Sequence, residues 1–450
     1  MTPRRGEFSS QFGFVMAASG SAVGLGNIWG FPTQAASNGG AAFLLVYLVL
    51  AFILAYPVLM AEIIIGRHAH SNAVTALRNI SSNQIAARLG ALTGIAGIIV
   101  ASLILSFYAI VAGWMIAFFL SGIAHLSGMN GLANWLTASG LWRNLIFTAV
   151  FMSLTIAIVT GGVREGIERW SGRLMPALLI TLLVLVFYVL TLDGAAAGLK
   201  VYLWPDFSRA LERGLIIDAL GSAFFSLSLG VGTMLIYGSY LSDDKNLPML
   251  GGIVTLVDIL IAVLAGFLVL PAMYVALKSG VDIFGPNGTL LSEDTLIFVV
   301  LPELFKTMGE TGVLVSIMFF FLMTIAALTS SISMLEVPVA YAVEALDATR
   351  RPASIIIGIV IACFSAVILC NFDDLFGLVV TLTTRYSQPL LGFVFCIYVG
   401  WIWQRNTLLQ ELRKGYYNVG DSWFWRIWPW YVQLVCPLII TAIFLQSILN

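Results

Sequence analysis

The residues of this sequence that could do chemistry begin with a glycine-rich run, Gly20-Ser-Ala-Val-Gly-Leu-Gly-Asn27-Ile-Trp-Gly-Phe-Pro32, inside the first long apolar stretch. Each glycine costs about 1 kcal/mol relative to alanine in a helix interior, so this run predicts a helix break. In hydrocarbon, the N–H and C=O groups freed at a break need partners, which only protein or a polar cavity supplies. The run therefore indicates a buried polar site with Asn27 beside it.

A second run of this kind, Ser226-Leu-Ser-Leu-Gly230-Val-Gly232, lies in a later apolar stretch. Acidic side chains also fall within apolar stretches, Asp258 with apolar residues on both sides and Glu62 in the second stretch. A carboxylate at membrane depth costs several kcal/mol, which makes both residues functional candidates. For Glu62 two roles stay open: accepting backbone donors freed at the second break, or contributing to the charge balance of a site.

The elements that must hold these residues are membrane helices. The chain of 450 residues is 60% hydrophobic and only 10% charged, which is typical of an all-α polytopic membrane protein because a spanning helix takes about 20 mostly apolar residues. We predict eleven spans, at 12–36, 41–66, 90–124, 143–160, 172–192, 214–241, 248–275, 310–343, 354–370, 374–403 and 428–449.

The distribution of basic residues predicts the orientation of these spans. With the N-terminus inside, fifteen of the 22 Lys and Arg residues lie on the cytoplasmic side and six lie outside. This is the excess expected of cytoplasmic loops. We therefore predict a multi-pass protein of the cell membrane with a cytoplasmic N-terminus and an external C-terminus. The net charge of −1 gives no reason to expect nucleic-acid binding.

The two glycine-rich runs lie five spans apart. Paired interrupted helices in two halves of a chain are typical of inverted-repeat transporters with a solute site at the repeat interface. The alternative is two unrelated small-residue packing faces, which are common in membrane helices. Their matching positions favour a transporter of one domain, 1–450, with repeats at about 12–192 and 214–403 and an extra helix at 428–449.

Catalytic signatures such as HExxH and GxSxG do not occur in the sequence, and its four cysteines lack metal-ligand spacing. We therefore predict neither an enzyme nor an organic cofactor. A membrane channel is a remote alternative to a transporter.

Three motifs resemble those of the neurotransmitter:sodium symporter family. They are the run from Gly20 to Pro32 followed by Asn38-Gly39-Gly40, the segment Phe225-Ser-Leu-Ser-Leu-Gly230 and the segment Ala326-Ala-Leu-Thr329-Ser330-Ser331. Glu62, Tyr108 and Tyr240 also fit the family's pattern, and eleven spans are similar to several of its bacterial amino-acid transporters. The resemblance implies the fold of the bacterial leucine transporter, with two five-helix inverted repeats and broken helices one and six. It also implies sodium-driven uptake across a bacterial inner membrane.

The resemblance also implies two sodium sites. The first would use the carbonyl of Ala22, the amide oxygen of Asn27, Ser226, Asp258 and the substrate carboxylate. The second would use the carbonyls of Gly20, Val23 and Ala326 with the hydroxyls of Thr329 and Ser330. Asn27 could instead be an interhelical hydrogen-bonding residue, and hydroxyls such as Thr329 usually bond back to their own helix. Oxygen groups at a broken helix are suitable ligands for sodium.

Asp258 bears on the anion requirement. Many family members have asparagine at the matching position and bind chloride nearby to balance sodium. Ala262 stands where the leucine transporter has a glutamate, so Asp258 alone would supply the fixed negative charge. We expect transport without chloride.

The substrate site implied by the resemblance lies between the two breaks. Its predicted residues are Ser21, Ala22, Gly24, Leu25, Gly26, Ile104, Tyr108, Phe225, Ser226, Ser228, Val231, Ser330 and Met334. The amides around Leu25 and Gly26 would meet a substrate carboxylate together with the Tyr108 hydroxyl, and carbonyls at the breaks would meet an ammonium. Tyr108 taken alone could be an interfacial or packing tyrosine.

Two of these positions bear on specificity. Monoamine carriers have aspartate where this chain has Gly24, which favours a substrate with its own carboxylate. Val231 stands where the leucine transporter has phenylalanine, which leaves a larger cavity. We therefore predict a sodium-coupled symporter of neutral, hydrophobic amino acids, with another small zwitterion or an amine as the alternative substrate.

A cytoplasmic gate is predicted from Arg5 and Glu344, braced by Phe8 and Tyr240; Arg5 could instead be only one of the cytoplasmic basic residues. The external gate departs from the family, because Gly30 replaces an arginine.

Arg385 in span ten could restore the missing external cation. Asp373 and Asp374, near the start of that span, are its candidate partners.

Overall fold

The computed structural model describes residues 6–204, 212–284 and 295–449. The described residues form helices joined by short connections. We number them α1 Gln11–Ala22, α2 Gly26–Ser37, α3 Ala41–Ala69, α4 Ala73–Asn79, α5 Gln84–Leu126, α6 Asn130–Thr137, α7 Leu141–Thr160, α8 Val163–Leu190, α9 Ala195–Leu203, α10 Arg213–Ser226, α11 Thr233–Gly238, α12 Leu247–Lys278, α13 296–307, α14 Gly309–Ala345, α15 Arg350–Cys370, α16 Phe372–Ile402, α17 Arg405–Gly415 and α18 423–449.

Seven of the described helices are long and apolar enough to cross a membrane. Two further pairs qualify if each bent pair is one span, α1 with α2 at 56° and α16 with α17 at 103°. The predicted spans 214–241 and 428–449 correspond to the α10–α11 pair and to α18. The predicted all-α fold with interrupted first and sixth spans is confirmed.

The first interruption follows from residues at the end of α1. The helix begins at Gln11 because the Ser10 hydroxyl accepts the Gly13 N–H at 2.9 Å and caps it. It ends at Ala22, and Val23 has extended geometry with ψ of 102°. The chain resumes as a π-helical turn at Gly26. The turn of backbone between α1 and α2 therefore leaves carbonyl and amide groups outside a regular helix.

The second interruption separates α10 from α11. Three of its residues have positive φ, Ser228 at 50°, Gly230 at 83° and Gly232 at 79°. A Cβ on Gly230 would lie 2.1 Å from the Gln388 carbonyl oxygen of α16, so only glycine fits there. The Gly230 N–H donates to Glu62 Oε1 at 2.7 Å. This contact matches the first of the two roles considered for Glu62.

Glu411 of α17 binds residues at the predicted cytoplasmic end of α3. Its carboxylate accepts the Arg67 Nε–H at 2.7 Å and contacts His68 Nδ1 at 3.1 Å and Lys414 Nζ at 3.0 Å. Burial raises the pKa of this carboxyl, but the His68 hydrogen bond, the Arg67 charge and the Lys414 ammonium outweigh it and lower the pKa to about 2. The folded state therefore favours ionised Glu411.

We expect Glu411→Gln to destabilise the folded protein by about 3 kcal/mol near neutral pH, because Arg67 is left buried without its charge partner. Because the pKa of Glu411 is lower in the folded protein than its ordinary value of 4.5, ionised Glu411 stabilises the fold fully at pH values above 4.5. This stabilisation is lost as the pH falls toward 2. Melting temperatures of the purified wild type and variant should therefore differ most above about pH 5.

The matched control is Glu165→Gln, which removes an exposed pair with Arg169 and should have little effect. Equal melting temperatures for the wild type and Glu411→Gln at pH 7 would contradict the expected role of Glu411.

Candidate functional site

Three side chains of the predicted first ion site, Asn27, Ser226 and Asp258, meet beside the two interruptions. Asn27 Nδ2 donates to Ser226 Oγ at 2.8 Å and to Asp258 Oδ1 at 2.7 Å, and Ser226 Oγ donates to Asp258 Oδ2 at 2.8 Å. The carbonyl of Ala22 belongs to the last residue of α1. Asn27, Ser226 and Asp258 are fully or almost fully buried. The arrangement brings the Asp258 carboxylate and the Ser226 hydroxyl to the amide nitrogen of Asn27. The amide oxygen of Asn27, the predicted ligand, instead accepts the Gly24 N–H at 3.2 Å, so Asn27 has here the interhelical hydrogen-bonding role of the alternative interpretation.

Sequence reasoning missed one member of this group. The Tyr47 hydroxyl of α3 lies 3.2 Å from Ser226 Oγ, and its side chain is buried. Nothing in the local sequence of α3 marks this tyrosine, since its role depends on the packing of α3 against α10.

The residues predicted for the second ion site lie where α14 passes the first interruption. The Ser330 hydroxyl lies within 3.4 Å of the carbonyl oxygens of Gly20, Ser21 and Val23. Thr329 Oγ1 donates to the Ala326 carbonyl at 3.1 Å, the back-bonding expected of an isolated threonine. All five predicted residues are therefore neighbours, and the Ser21 carbonyl is an additional oxygen that the sequence did not predict.

A cavity of about 20 Å³ lies between the interruptions. Its lining residues are Ala22, Gly24, Leu25, Gly26, Ile104, Tyr108, Phe225, Ser228, Val231, Ser330, Met334 and Gln388. Eleven of these twelve are predicted substrate residues, and Gln388 of α16 is new. The cavity has room for about one water molecule, so a solute the size of an amino acid would enter only with movement of the surrounding helices.

Two predicted substrate residues lie outside this lining. The Ser21 hydroxyl donates to Ser333 Oγ of α14 at 2.7 Å, so its side chain turns away from the cavity. The Ser226 hydroxyl is held by Asn27 and Asp258. The Ser21 side chain, predicted to line the pocket, is thus held by a different helix here, whereas the Ser226 hydroxyl lies in the group predicted for the first ion site.

The two interruptions are joined by direct hydrogen bonds across the cavity. Ser228 Oγ of the second interruption donates to the Ser21 carbonyl of α1 at 2.9 Å. The Leu25 N–H donates to the Tyr108 hydroxyl of α5 at 3.1 Å. Tyr108 is thus placed beside the freed amides, where a carboxylate would also bind. A Cβ on Gly24 would lie 2.7 Å from both Ser330 Oγ and the Tyr108 hydroxyl.

Two larger cavities lie next to the small one. One of about 380 Å³ shares Leu25, Gly26, Tyr108 and Phe225 with it. A second of about 590 Å³ is lined by Gly30 and by charged residues of two facing helices, Asp218 of α10 and Arg385 of α16. These spaces connect the small cavity with the predicted external side.

The external gate differs from its predicted form. Space around Gly30 is open, since a Cβ there would meet nothing within 4 Å. Arg385 interacts electrostatically with Asp218, whereas Asp373 and Asp374 lie in the first turn of the same helix as Arg385. At a rise of 1.5 Å per residue they are about 17 Å along the helix axis from Arg385. The pairing of Arg385 with these two aspartates is therefore wrong.

The predicted cytoplasmic gate is described in part. Arg5 lies outside the described residues. Glu344 Oε2 accepts the Asn72 N–H at 2.6 Å, and the Phe8 N–H donates to the Tyr240 carbonyl at 3.1 Å with their rings in contact. The sequence predicts Glu344, Phe8 and Tyr240 as gate residues, but it does not predict the acid that Tyr240 binds.

That acid is Glu336 of α14, which is fully buried. Its carboxylate accepts the Tyr240 hydroxyl at 2.5 Å and an Arg350 N–H of α15 at 2.5 Å. Arg350 also donates to the Val159 carbonyl of α7 at 3.0 Å. The rule that intramembrane acids are functional would have selected Glu336, as it selected Asp258.

Comparisons with known proteins agree with this geometry. The model of the sodium:neurotransmitter symporter family matches residues 5–144 and 127–450. An uncharacterized sodium-dependent transporter of Bacillus subtilis, YhdH, is 34% identical, with 98% of this chain and 97% of that protein covered. The taurine transporter of the dog, which depends on sodium and chloride, is 26% identical over 100% of this chain and 79% of its own length.

A solved structure extends the match to three dimensions. The crystal structure of MhsT in complex with L-phenylalanine is 35% identical and superposes with a TM-score of 0.84, covering 98% of this chain and 100% of that one. Sequence, fold and the paired helix interruptions thus agree. The chain belongs to the sodium:neurotransmitter symporter family and is a multi-pass, sodium-dependent membrane transporter.

Proposed function

We propose that the protein imports neutral, hydrophobic amino acids together with sodium, by alternating access and without chloride. Its two sodium sites are the first group, Ala22, Asn27, Ser226 and Asp258, and the second group, Gly20, Val23, Ala326, Thr329 and Ser330. It acts in the cell membrane with a cytoplasmic N-terminus and an external C-terminus.

The observation that carries this proposal is the chemistry of the small cavity. Among its lining residues as described there is no charged side chain. An amine substrate would need an acid in this wall, and an acidic or basic amino-acid side chain would need an opposite charge. A neutral amino acid brings its own carboxylate and ammonium, which the Leu25 amide, the Tyr108 hydroxyl and the carbonyls of the interruptions can pair.

The lining also supports an apolar side chain. Ile104, Phe225, Val231 and Met334 form the apolar part of the cavity. A side chain buried among them gains about 25 cal/mol for each Å² of apolar surface removed from water. The complex of MhsT with L-phenylalanine is consistent with this preference.

Charge balance supports transport without chloride. Asp258 places one carboxylate against Asn27 and Ser226, so a sodium ion there would meet a fixed opposite charge. A cation in a buried site without such a charge would need a mobile anion instead.

Uptake into proteoliposomes tests the proposal. Purified protein should accumulate radiolabelled neutral amino acids against their gradient when sodium is outside, with gluconate or chloride as the anion. Preferred uptake of taurine, betaine or a monoamine would instead establish the alternative substrate. Equilibration that never exceeds the external concentration would indicate a channel.

The two sodium sites give a specific prediction. Asn27→Ala and Thr329→Ala should each raise the half-saturating sodium concentration about tenfold or more, because a buried cation that loses an oxygen ligand loses about 1.4 kcal/mol or more of binding. Sodium-dependent binding of a labelled amino acid to purified protein measures this value.

Thr324→Ala is the matched control, since Thr324 lies on the same helix and its hydroxyl bonds back to the Phe320 carbonyl at 2.7 Å. It should leave sodium affinity unchanged. Unaltered sodium affinity in both test variants would refute the two sites.

A further inference from the structure

We propose that Gln388 selects, among neutral amino acids, those whose side chain carries a hydrogen-bond donor, such as the indole N–H on the apolar ring of tryptophan. The inference rests on the proposed function and names the substrate within it. Gln388 lines the small cavity with Val231, Phe225 and Met334. Its side chain is 3% exposed, and among the described residues its Oε1 atom has no hydrogen-bond partner.

An unpartnered amide oxygen in a buried wall is rare in folded proteins. Two hydroxyl donors of this cavity are engaged elsewhere, Ser228 with the Ser21 carbonyl and Ser330 with the carbonyls at the end of α1. The third hydroxyl, that of Tyr108, accepts the Leu25 N–H and is assigned to the substrate carboxylate in the proposed function. The other side chains around the cavity are largely apolar. None of these groups pairs with Gln388, so its amide oxygen is left to accept a hydrogen bond from a donor that enters the cavity.

The position of Gln388 is fixed by two features of the backbone. It follows directly on a π-helical turn, Thr381–Ser387, and such turns insert a residue that redirects the side chains after them. Its carbonyl oxygen packs against Gly230, where a Cβ would be only 2.1 Å away. Gln388 is thus held against the second interruption, next to Val231.

Gln388 is not needed to bind the main chain of the substrate. The amides at Leu25 and Gly26 and the Tyr108 hydroxyl suffice for the carboxylate, and carbonyls of the interruptions suffice for the ammonium. The amide of Gln388 is left for the substrate side chain. A site built to hydrogen-bond such a group rejects analogues that lack it, because its own polar atom then stays unpaired.

The test compares L-tryptophan with L-3-benzothienylalanine, in which sulfur replaces the indole N–H in a ring of nearly the same shape. Wild-type protein in sodium should bind tryptophan about tenfold or more tightly than the sulfur analogue. In Gln388→Met, a variant of similar length without the amide, the two affinities should become equal. Phenylalanine affinity should stay the same or rise in this variant.

Thermal unfolding separates selection from a structural role. Since Gln388→Met removes an unpaired buried oxygen, the unliganded variant should melt at the wild-type temperature or above. A lowered melting temperature together with retained discrimination would assign Gln388 a structural role and overturn the inference.

The wild type alone also suffices as a test. Equal affinity of the wild type for tryptophan and the sulfur analogue would overturn the inference, even if the variant does not fold. Binding of phenylalanine but not of tryptophan would also overturn it. Either result leaves the proposed function intact, because an amino acid still binds in sodium. Absence of sodium-dependent binding for every neutral amino acid would instead refute the proposed function itself.

Discussion

Gly24→Asp is expected to abolish sodium-dependent amino-acid uptake. The Cβ atom alone would lie 2.7 Å from Ser330 Oγ and from the Tyr108 hydroxyl, distances that side chains do not reach without movement of their neighbours. The carboxylate would then compete with that of the substrate. Two such charges 4 Å apart repel by about 4 kcal/mol at an effective dielectric of 20, which corresponds to a loss of affinity of about a thousandfold.

Three further variants separate the two causes. Gly24→Ala measures the steric part and Gly24→Asn adds the bulk of aspartate without its charge. Both should reduce uptake, and Gly24→Asp should reduce it further. Gly30→Ala, in the helix α2 that follows the interruption, is the control, since a Cβ there meets nothing within 4 Å. Undiminished uptake by Gly24→Asp would remove the argument for an α-amino-acid substrate.

Asp258→Asn is expected either to create a requirement for chloride or to eliminate transport. Both carboxylate oxygens of Asp258 accept hydrogen bonds, from Asn27 Nδ2 and from Ser226 Oγ. Asparagine offers one acceptor oxygen and an NH₂ group, so one of these two contacts loses its acceptor. The first sodium site also loses its fixed negative charge, and a mobile anion is the simplest replacement.

Replacement of chloride by gluconate in vesicles checks this expectation. The wild-type uptake rate should not change, while any residual rate of Asp258→Asn should fall at least tenfold. Asp244→Asn is the control, because Asp244 is in an exposed loop and pairs with Lys245. A large fall in the wild-type rate without chloride would show that Asp258 does not serve as the balancing anion.

The sequence predicts the two interruptions well because their cause is local. Glycine weakens a helix wherever it stands, and the runs ending at Gly26 and Gly232 mark the observed breaks within a few residues. Intramembrane carboxylates are equally local signals, which is why Asp258 could be selected before its partners were known. The same reasoning applied to Glu336 would have found the acid that Tyr240 and Arg350 share.

Other parts of the site depend on tertiary packing that no local pattern contains. The π-helical turn before Gln388 shifts the register of α16, so a regular helical period assigns its faces incorrectly. The family motif predicts Ser21 in the substrate pocket, but its hydroxyl donates to Ser333 of α14, a helix far away in the sequence. The proximity of Arg385 to Asp218 joins two spans whose relative placement the sequence does not determine.

The tight fit around three glycines has a consequence for protein engineering. A Cβ added to Gly24 or Gly26 would lie 2.7 Å from a side-chain atom of Ser330 or Phe225, and a Cβ added to Gly230 would lie 2.1 Å from the Gln388 carbonyl oxygen. Mutant libraries that include these positions would consist mostly of inactive clones. Ile104, Val231, Met334 and Gln388 have side chains that already line the cavity. Directed evolution of a new substrate range is therefore best confined to these four codons, a library small enough for exhaustive screening.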